Sequence, residues 1–579
     1  VTRIGVFVCH CGLNIASTVD VEQVVEVLRD YPGVAFASDY KYMCSDPGQS
    51  LIQESIEEHD LDGVVVAACS PTMHESTFRE AAANAGLNPY KLEIANIREQ
   101  VSWPHRDQPE AATRKAIEVV RSLVEKVRGD ESLHPFTLPI VRRALVVGGG
   151  IAGLSAALDI ADAGYPVMLV ERSDHLGGRM AQHSDLYLNL REGDDLLSER
   201  VEAVSRHPLI EVLTDAQVVG FDGYVGNFTV EVEAPSLDGA PVSTGVESTP
   251  ERRRVQAEVG AVVLATGFDL YAKGRMSEYG GGRYPDVVDS LQFEQMLQSG
   301  EIRRPSDGRV PEEVVWVQCA GSRAPDRHRP YCSKICCMYV AKQAITYRRL
   351  VPDGQAYVFY IDIRSQGRGY DEFVQQAMED YEAVYLRGKV SKVVMRNGRL
   401  EVWGADTLSG KSLRVGADLV VLAMAAVPST GSGDLARLLR VGTDESGFLS
   451  EAHPKLRPVE SLTAGVYVAG ASQFPKDIPE TVAQASGAAA KVLKLFAQEE
   501  MVAEPTVAAV DEALCVGCGM CVPACPYDAR ALHPWKQLAT VNAALCQGCG
   551  ACAVVCRNKA TTVRNLTTQQ VLSMMEAIL

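Results

Sequence analysis

Short apolar runs alternate with stretches in which apolar residues recur every three or four positions. Strand-like runs stand at Ile4 to Val8, Val34 to Ala37 and Val64 to Ala68. Helical patterns follow at Val21 to Arg29, Gln49 to Glu58, Ser76 to Ala85 and Glu110 to Arg128. This alternation predicts parallel strands joined by crossover helices. Residues 131–143 read as a linker, after which the alternation resumes with Ala144 to Val147, a small-residue helix over Leu154 to Ala163, and Val167 to Val170. Later apolar strands are Ala261 to Gly267, Glu313 to Gln318 and Gly465 to Gly470. At 579 residues the chain is too long for one core. The pattern divides it into an N-terminal α/β domain (1–130), a two-part dinucleotide domain (140–309 and 416–500), a second Rossmann-like insert (310–415) and a C-terminal domain (505–579). The fold class is therefore α/β multidomain.

The first strand of the dinucleotide domain ends in Gly148-Gly149-Gly150-Ile151-Ala152-Gly153, the G-x-G-x-x-G pattern between a strand and a helix. Glycines there turn the chain and let its backbone approach a pyrophosphate, and the helix N-terminus adds free N–H groups and a positive dipole end. Glu171, at the end of the next strand, is placed to take a ribose hydroxyl, with Arg172 beside it. A second glycine turn, His175 to Arg179 with Gly177 and Gly178 within it, would pass close to the flavin end of a cofactor. Ala265-Thr266-Gly267 closes the first half of an FAD domain, and Gly470, Ile478 and Thr481 mark its second half. The helix after Pro475 to Glu480 would aim its N-terminus at the flavin ring, where it would stabilise negative charge.

Composition adds the redox chemistry. A net charge of −18 argues against nucleic acid or an anionic membrane surface as partner. The longest apolar runs, such as Leu419 to Val427, are far short of a membrane span. The N-terminus enters a strand pattern without a signal-peptide layout, so the expected location is cytoplasmic. Sixteen cysteines are many for such a location, where clustered thiols point to metal or redox chemistry. They fall into fours, as four [4Fe-4S] clusters would require. Cys9, Cys11, Cys44 and Cys69 follow successive strands, whose C-terminal ends share one edge of a parallel sheet; scattered core thiols are the alternative. Cys319, Cys332, Cys336 and Cys337 stand where a second dinucleotide site would need its own glycine turn; a strained vicinal disulfide or plain core thiols are the alternatives. Lys342 follows on the same predicted helix and is the candidate catalytic cation. The last eight carry the strongest signal: Cys515, Cys518, Cys521, Cys525-Pro526, then Cys546, Cys549, Cys552 and Cys556, the two-cluster bacterial ferredoxin spacing. In that pattern Cys515, Cys518, Cys521 and Cys556 hold one cluster and Cys546, Cys549, Cys552 and Cys525 the other.

Taken together, VCHCG at 8–12, VVGGGIAG at 146–153, GGRM at 177–180, QGRGYDEF at 366–373, PKDIPETVAQASGAAA at 475–490 and the cysteine sets resemble the HdrA family of heterodisulfide reductases and its bacterial relatives. The resemblance covers nearly the whole chain. It implies a thioredoxin-reductase-like FAD core between an N-terminal cluster domain and a C-terminal ferredoxin domain. It also implies a dimer of a hetero-oligomeric cytoplasmic complex with HdrB- and HdrC-like subunits, an MvhD-like subunit with hydrogenase or formate dehydrogenase, and ferredoxin. In that family FAD can bifurcate electron pairs between two acceptors.

Three departures stand out. Ala234 to Arg254 is a polar, cysteine-free stretch where many relatives insert a further ferredoxin module, so this is a short form. Ala181 to Arg191 lacks a cysteine that some relatives carry. Ala471 replaces the aspartate usual after the GVYVAG-type strand. Besides bifurcation, the residues leave room for a non-bifurcating conduit to an acyl-CoA ring reductase or quinone module, a stand-alone NAD(P)H-dependent flavin oxidoreductase, and an iron–sulfur scaffold or sensor.

Overall fold

The computed structural model describes residues 2–188, 190, 193–236 and 252–579. Two compact units emerge: residues 139–501, and residues 1–138 together with 502–579. Among the described residues no helix is long and apolar enough to cross a membrane.

In the larger unit the strand Ala144–Val147 lies at the centre of a five-stranded parallel sheet. Its neighbours are Ala261–Leu264 on one side and Val167–Val170 on the other, with Val466–Val468 and Ile210–Leu213 outermost. All four residues of the central strand are buried, as expected of a parallel strand covered on both faces. The helix Ile151–Asp162 packs its Ala156, Ala157 and Ile160 against Ala485, Ala488 and Val492 of the helix Ile478–Phe496. Small residues on both helices permit that close approach. A three-stranded antiparallel meander, Gln217–Tyr224, Asn227–Pro235 and Arg252–Val259, joins the sheet's outer and inner strands. Ala234, Pro235 and Arg252 to Arg254 are thus ladder residues and not loop; residues 237–251 of that polar stretch lie outside the described residues, as does Arg191.

The same design recurs within this unit. Glu313–Ala320 centres a second five-stranded parallel sheet with Leu419–Met424, Val287–Asp289, Gln355–Tyr360 and Val384–Arg387. Its meander is Lys392–Arg396, Arg399–Asp406 and Lys411–Ala417. The sheet therefore draws strands from both sides of residues 310–415.

In the smaller unit a parallel sheet runs in the order Val34–Tyr40, Ile4–Cys9, Gly63–Ala68, Leu92–Asn96. The last strand has only a mixed polar–apolar pattern, LEIAN, which explains why periodicity alone passes over it. The helices Asp46–Glu58 and Pro71–Asn84 begin earlier than their apolar spacing suggests, because each carries a proline in its first turn. The cysteine-rich end has two short antiparallel pairs, Ala508–Val510 with Thr561–Val563 and Arg530–Leu532 with Ala539–Val541. Its buried apolar core is Ala508, Cys521, Ala539 and Cys552, so cysteines supply half of it. A core that small needs an additional staple. The terminal helix Thr568–Glu576, opened by a Thr567–Gln570 capping box, lies on the helix Pro109–Arg128 of the same unit.

Candidate functional site

At the C-terminal edge of the first sheet of the larger unit, an open cavity of about 370 Å³ follows the glycine turn. Gly148, Gly150, Ile151, Ala152, Glu171, Arg172, Gly178, Arg179, Ala265, Thr266, Gly267, Ile478 and Thr481 all line it, as does Lys342. Gly148 has φ +111°, and a Cβ there would come within 2.3 Å of the Ala265 carbonyl oxygen. Only glycine fits that position. The other two sequence-predicted residues lie behind the wall. A Cβ on Gly153 would stand 1.8 Å from the Gly148 oxygen, and one on Gly470 2.8 Å from the Ala152 Cβ. Both hold helices against the turn and do not face the cavity.

The wall fits a dinucleotide. Gly150 caps the helix Ile151–Asp162 without any side-chain hydrogen bond, which leaves first-turn N–H groups to face an anion. The Glu171 carboxylate accepts from Gly149 N at 2.6 Å and Ser173 N at 2.8 Å, and each oxygen keeps a further lone pair. Thr266 Oγ1 is buried in the wall with no hydrogen-bond partner among the described residues. Lys476 also lines the cavity; its Nζ donates to Gly470 O, Phe474 O and Gln473 Oε1, and burial pushes its ammonium down to about 8.

Lys342 is not a solitary cation. Its Nζ donates to Glu294 Oε1 at 2.6 Å and Oε2 at 2.5 Å, and to Ser184 Oγ at 3.0 Å. Lysine and glutamate are 2% and 1% exposed. Burial, the largest single influence, works against the Glu294 charge, but the Lys342 ammonium and the hydrogen bonds from Lys342 and Gln343 together hold the carboxyl below its usual range. His183 stands 4.0 Å from Glu294, and burial lowers its pKa, which keeps the ring neutral. Glu294, His183, Asp185, Tyr187 and Tyr339 line the cavity without having been marked by the sequence. For Glu294 no motif exists to find. For residues 183–187 the signal is their position directly after the GGRM turn.

The same helix that carries Lys342, Cys336–Leu350, begins at a second, smaller cavity. Cys319, Cys332, Cys336 and Cys337 line it together, with Arg323, Lys334 and Asp362. Cys319, at φ +58°, is the last residue but one of the central strand of the second sheet. Burial pushes the Cys319 thiol up to about 11 and that of Cys337 to about 12, and the neighbouring thiols act in the same direction. Cys319 also faces an open groove bordered by Arg323, Arg327 and His328.

In the smaller unit Cys9 ends one parallel strand and Cys69 follows another. Burial raises the Cys9 thiol, with Cys11 and Cys44 adding to the effect; Cys69 is raised to about 11 by burial, against the pull of Arg98. Arg98 Nη1 donates to Cys11 Sγ at 3.4 Å. Neither His10, paired with Asp39, nor His74, against the Phe78 ring, joins the set. Backbone N–H groups point at sulfur in all three cysteine regions: Cys11 N and Met43 N at Cys9, Lys334 N at Cys332, Ala539 N at Cys515, Ala529 N at Cys525 and Ala508 N at Cys546. Such donors suit anionic sulfur. Among the described residues no three or more His, Cys, Asp or Glu groups converge on a single metal ion. A cubane cluster is gripped at its four corners by thiols that stand apart, and Cys319, Cys332, Cys336 and Cys337 all border one cavity.

A family model described as an NAD(P)-binding Rossmann-like domain matches residues 146–200, and one described as a 4Fe-4S binding domain matches residues 508–531. The chain is 40% identical, over 91% of its length and 90% of the relative's, to the second of two iron-sulfur HdrA-type subunits of CoB–CoM heterodisulfide reductase in Methanopyrus kandleri. That alignment spans 594 positions, so the relative carries several dozen residues that this chain lacks. At 39% identity and the same coverage it matches the HdrA-type subunit of the H(2):CoB-CoM heterodisulfide,ferredoxin reductase of Methanothermobacter marburgensis. At 35% identity, again over 91% and 90%, it matches the corresponding subunit of the H(2)/formate:CoB-CoM heterodisulfide,ferredoxin reductase of Methanococcus maripaludis. A solved thioredoxin reductase from T. acidophilum aligns with 62% of this chain and 99% of its own at 17% identity and a TM-score of 0.41; the fold is read from the strand order and not from that alignment. With a dinucleotide domain of the FAD type, 4Fe-4S motifs and this identity along nine-tenths of its length, the chain belongs to the HdrA family of heterodisulfide reductases, oxidoreductases that are iron–sulfur flavoproteins.

Proposed function

We propose that this chain is the electron-transfer subunit of a heterodisulfide-reductase-type complex and holds one FAD and four [4Fe-4S] clusters. When bound, FAD supplies the exchange between electron pairs and single electrons, which lets the subunit split or merge pairs between clusters leading to ferredoxin and clusters leading to a partner catalytic subunit. The observation that supports this best is the helix Cys336–Leu350. It brings Cys336 and Cys337 to the four-cysteine cavity and Tyr339 and Lys342 to the dinucleotide cavity. Cys337 and Lys342 are separated by about 7.5 Å of helix rise, at ~1.5 Å per residue. Lys334, beside Cys332, pairs with Glu480 in the first turn of the helix Ile478–Phe496, whose N-terminus lines the same dinucleotide cavity.

Each residue has a role in this reading. Gly148, Gly150, Ile151 and Ala152 wrap the pyrophosphate, Glu171 takes the ribose, and Thr266 offers its free hydroxyl. Lys342 is the catalytic residue: its ammonium, fixed by Glu294 and Ser184, holds a proton at the cavity wall. Cysteines instead of a second glycine turn at the end of Glu313–Ala320 favour clusters over a nicotinamide nucleotide. Relatives named for hydrogen, formate and ferredoxin support a hydrogenase or formate dehydrogenase module and ferredoxin as partners, beside HdrB- and HdrC-like subunits expected of the family.

The test is anaerobic reduction of the purified, FAD-loaded chain. Reduced ferredoxin or a viologen dye is expected to bleach the flavin, and NADH to leave it oxidised. Rapid bleaching by NADH would assign a stand-alone flavin oxidoreductase instead.

A further inference from the structure

Arg530 opens the short strand Arg530–Leu532 inside the cysteine-rich end of the smaller unit and is 4% exposed. Its Nη2 donates to Thr561 Oγ1 at 3.1 Å and to Cys521 Sγ at 3.6 Å. Its Nε and Nη1 are buried and have no partner among the described residues, and no carboxylate is among its hydrogen-bond partners. A guanidinium stays charged in any protein setting. Burying one without a counter-charge is costly, so this position calls for an anion that the protein side chains do not provide.

The surroundings identify that anion. Arg530 follows Cys525 at the offset at which Thr561 follows Cys556, so the contact between them links matching positions of the two cysteine runs. Cys521 belongs to the first run and Cys552 to the second, and both are buried in the same small core. Ala529, the residue directly before Arg530, donates its backbone N–H to Cys525 Sγ at 3.3 Å, and Cys525 belongs to the other proposed cluster. The cation therefore touches a thiol of one proposed cluster and directly follows a residue bonded to a thiol of the other.

We infer that Arg530 is a charge-positioning residue between two [4Fe-4S] clusters, its unpartnered N–H groups directed at their sulfurs and its charge raising their reduction potentials. The inference rests on reading the eight C-terminal cysteines as two clusters. A cubane with four thiolates is a dianion and becomes a trianion when it gains an electron. A fixed neighbouring cation favours the more negative form, and hydrogen bonds to sulfur act in the same direction. The step is addition of one electron per cluster from an external reductant such as dithionite, with no bond made or broken and no proton required.

The experiment is a dye-mediated redox titration of the full chain, reconstituted anaerobically and followed by electron paramagnetic resonance, on wild type, Arg530→Gln and Arg530→Lys. Iron content is measured on each sample. In Arg530→Gln two reduction steps should move to lower potential, by about tenfold or more in the reduction equilibrium, or about 59 mV for one electron. Arg530→Lys should show a smaller shift in the same direction. Unmoved potentials in an Arg530→Gln protein with full iron would overturn the inference. If Arg530→Gln does not retain iron, Arg530→Lys decides: retained iron with lowered potentials supports the role, whereas unmoved potentials or equal loss of iron overturn it. A wild-type chain without two C-terminal clusters would instead sink the cluster reading on which the inference rests.

Discussion

Lys342 reaches the cavity wall with its charge already matched by Glu294, and both are almost fully buried. Removing one member strands the other. Lys342→Met should lower stability by about 3–5 kcal/mol, the range for breaking a buried ion pair. The double variant with Glu294→Gln should recover most of that loss, because no isolated charge remains. Denaturant unfolding of the set checks this, and a Lys342→Met protein as stable as wild type would contradict the pairing. Lys476 responds to pH instead. Burial brings its ammonium down to about 8, so its charge is present below that pH and absent above it. Affinity for FAD, an anion, should therefore weaken as the pH rises through about 8, while Lys476→Met should bind more weakly than wild type below that pH, approach it above, and show no such step. Isothermal titration of the flavin-free chain at a series of pH values measures both.

At the level of elements, the N-terminal sheet and the cysteine-rich end share a polar junction. Gln570 Nε2 donates to Asp130 Oδ1 at 2.8 Å, and Asn565 Nδ2 to the Tyr90 and Glu131 carbonyls at 3.1 and 3.0 Å. Burial pushes Asp130 up to about 7, from an ordinary value of 3.8. The folded form thus keeps a proton that the unfolded chain gives up, so the Asp130 contribution is complete below pH 3.8 and is lost as the pH rises towards 7. The thermal midpoint of wild type should fall across that window, and Asp130→Asn should flatten the slope; an equally steep slope in the variant would remove Asp130 as its source. Nothing in the sequence announces this junction, since polar side chains far apart along the chain carry it. The parallel strands were legible because strands buried on both faces read as continuous apolar runs, as in Ile4–Cys9 and Ala144–Val147. Val287–Asp289 was not, because three residues carry no period, although it pairs with Leu419–Met424.

Across the whole molecule, glycine turns and cysteine spacing were legible because their chemistry is local: a left-handed turn, a close backbone approach, a thiol at a strand end. Most of the dinucleotide-site residues proposed from the sequence line the cavity, and Gly153 and Gly470 stand just behind it as packing positions. Glu294 and Arg530 escaped notice because a charge buried by distant segments is a tertiary fact. What joins these parts is the account of one flavin served by four clusters, and the most direct test is the iron and flavin content of the intact chain after anaerobic reconstitution. About sixteen iron per FAD is the value predicted from four cubane clusters. About eight iron per FAD, the content of the C-terminal pair alone, would contradict it and remove the Cys9 and Cys319 sites from the electron path.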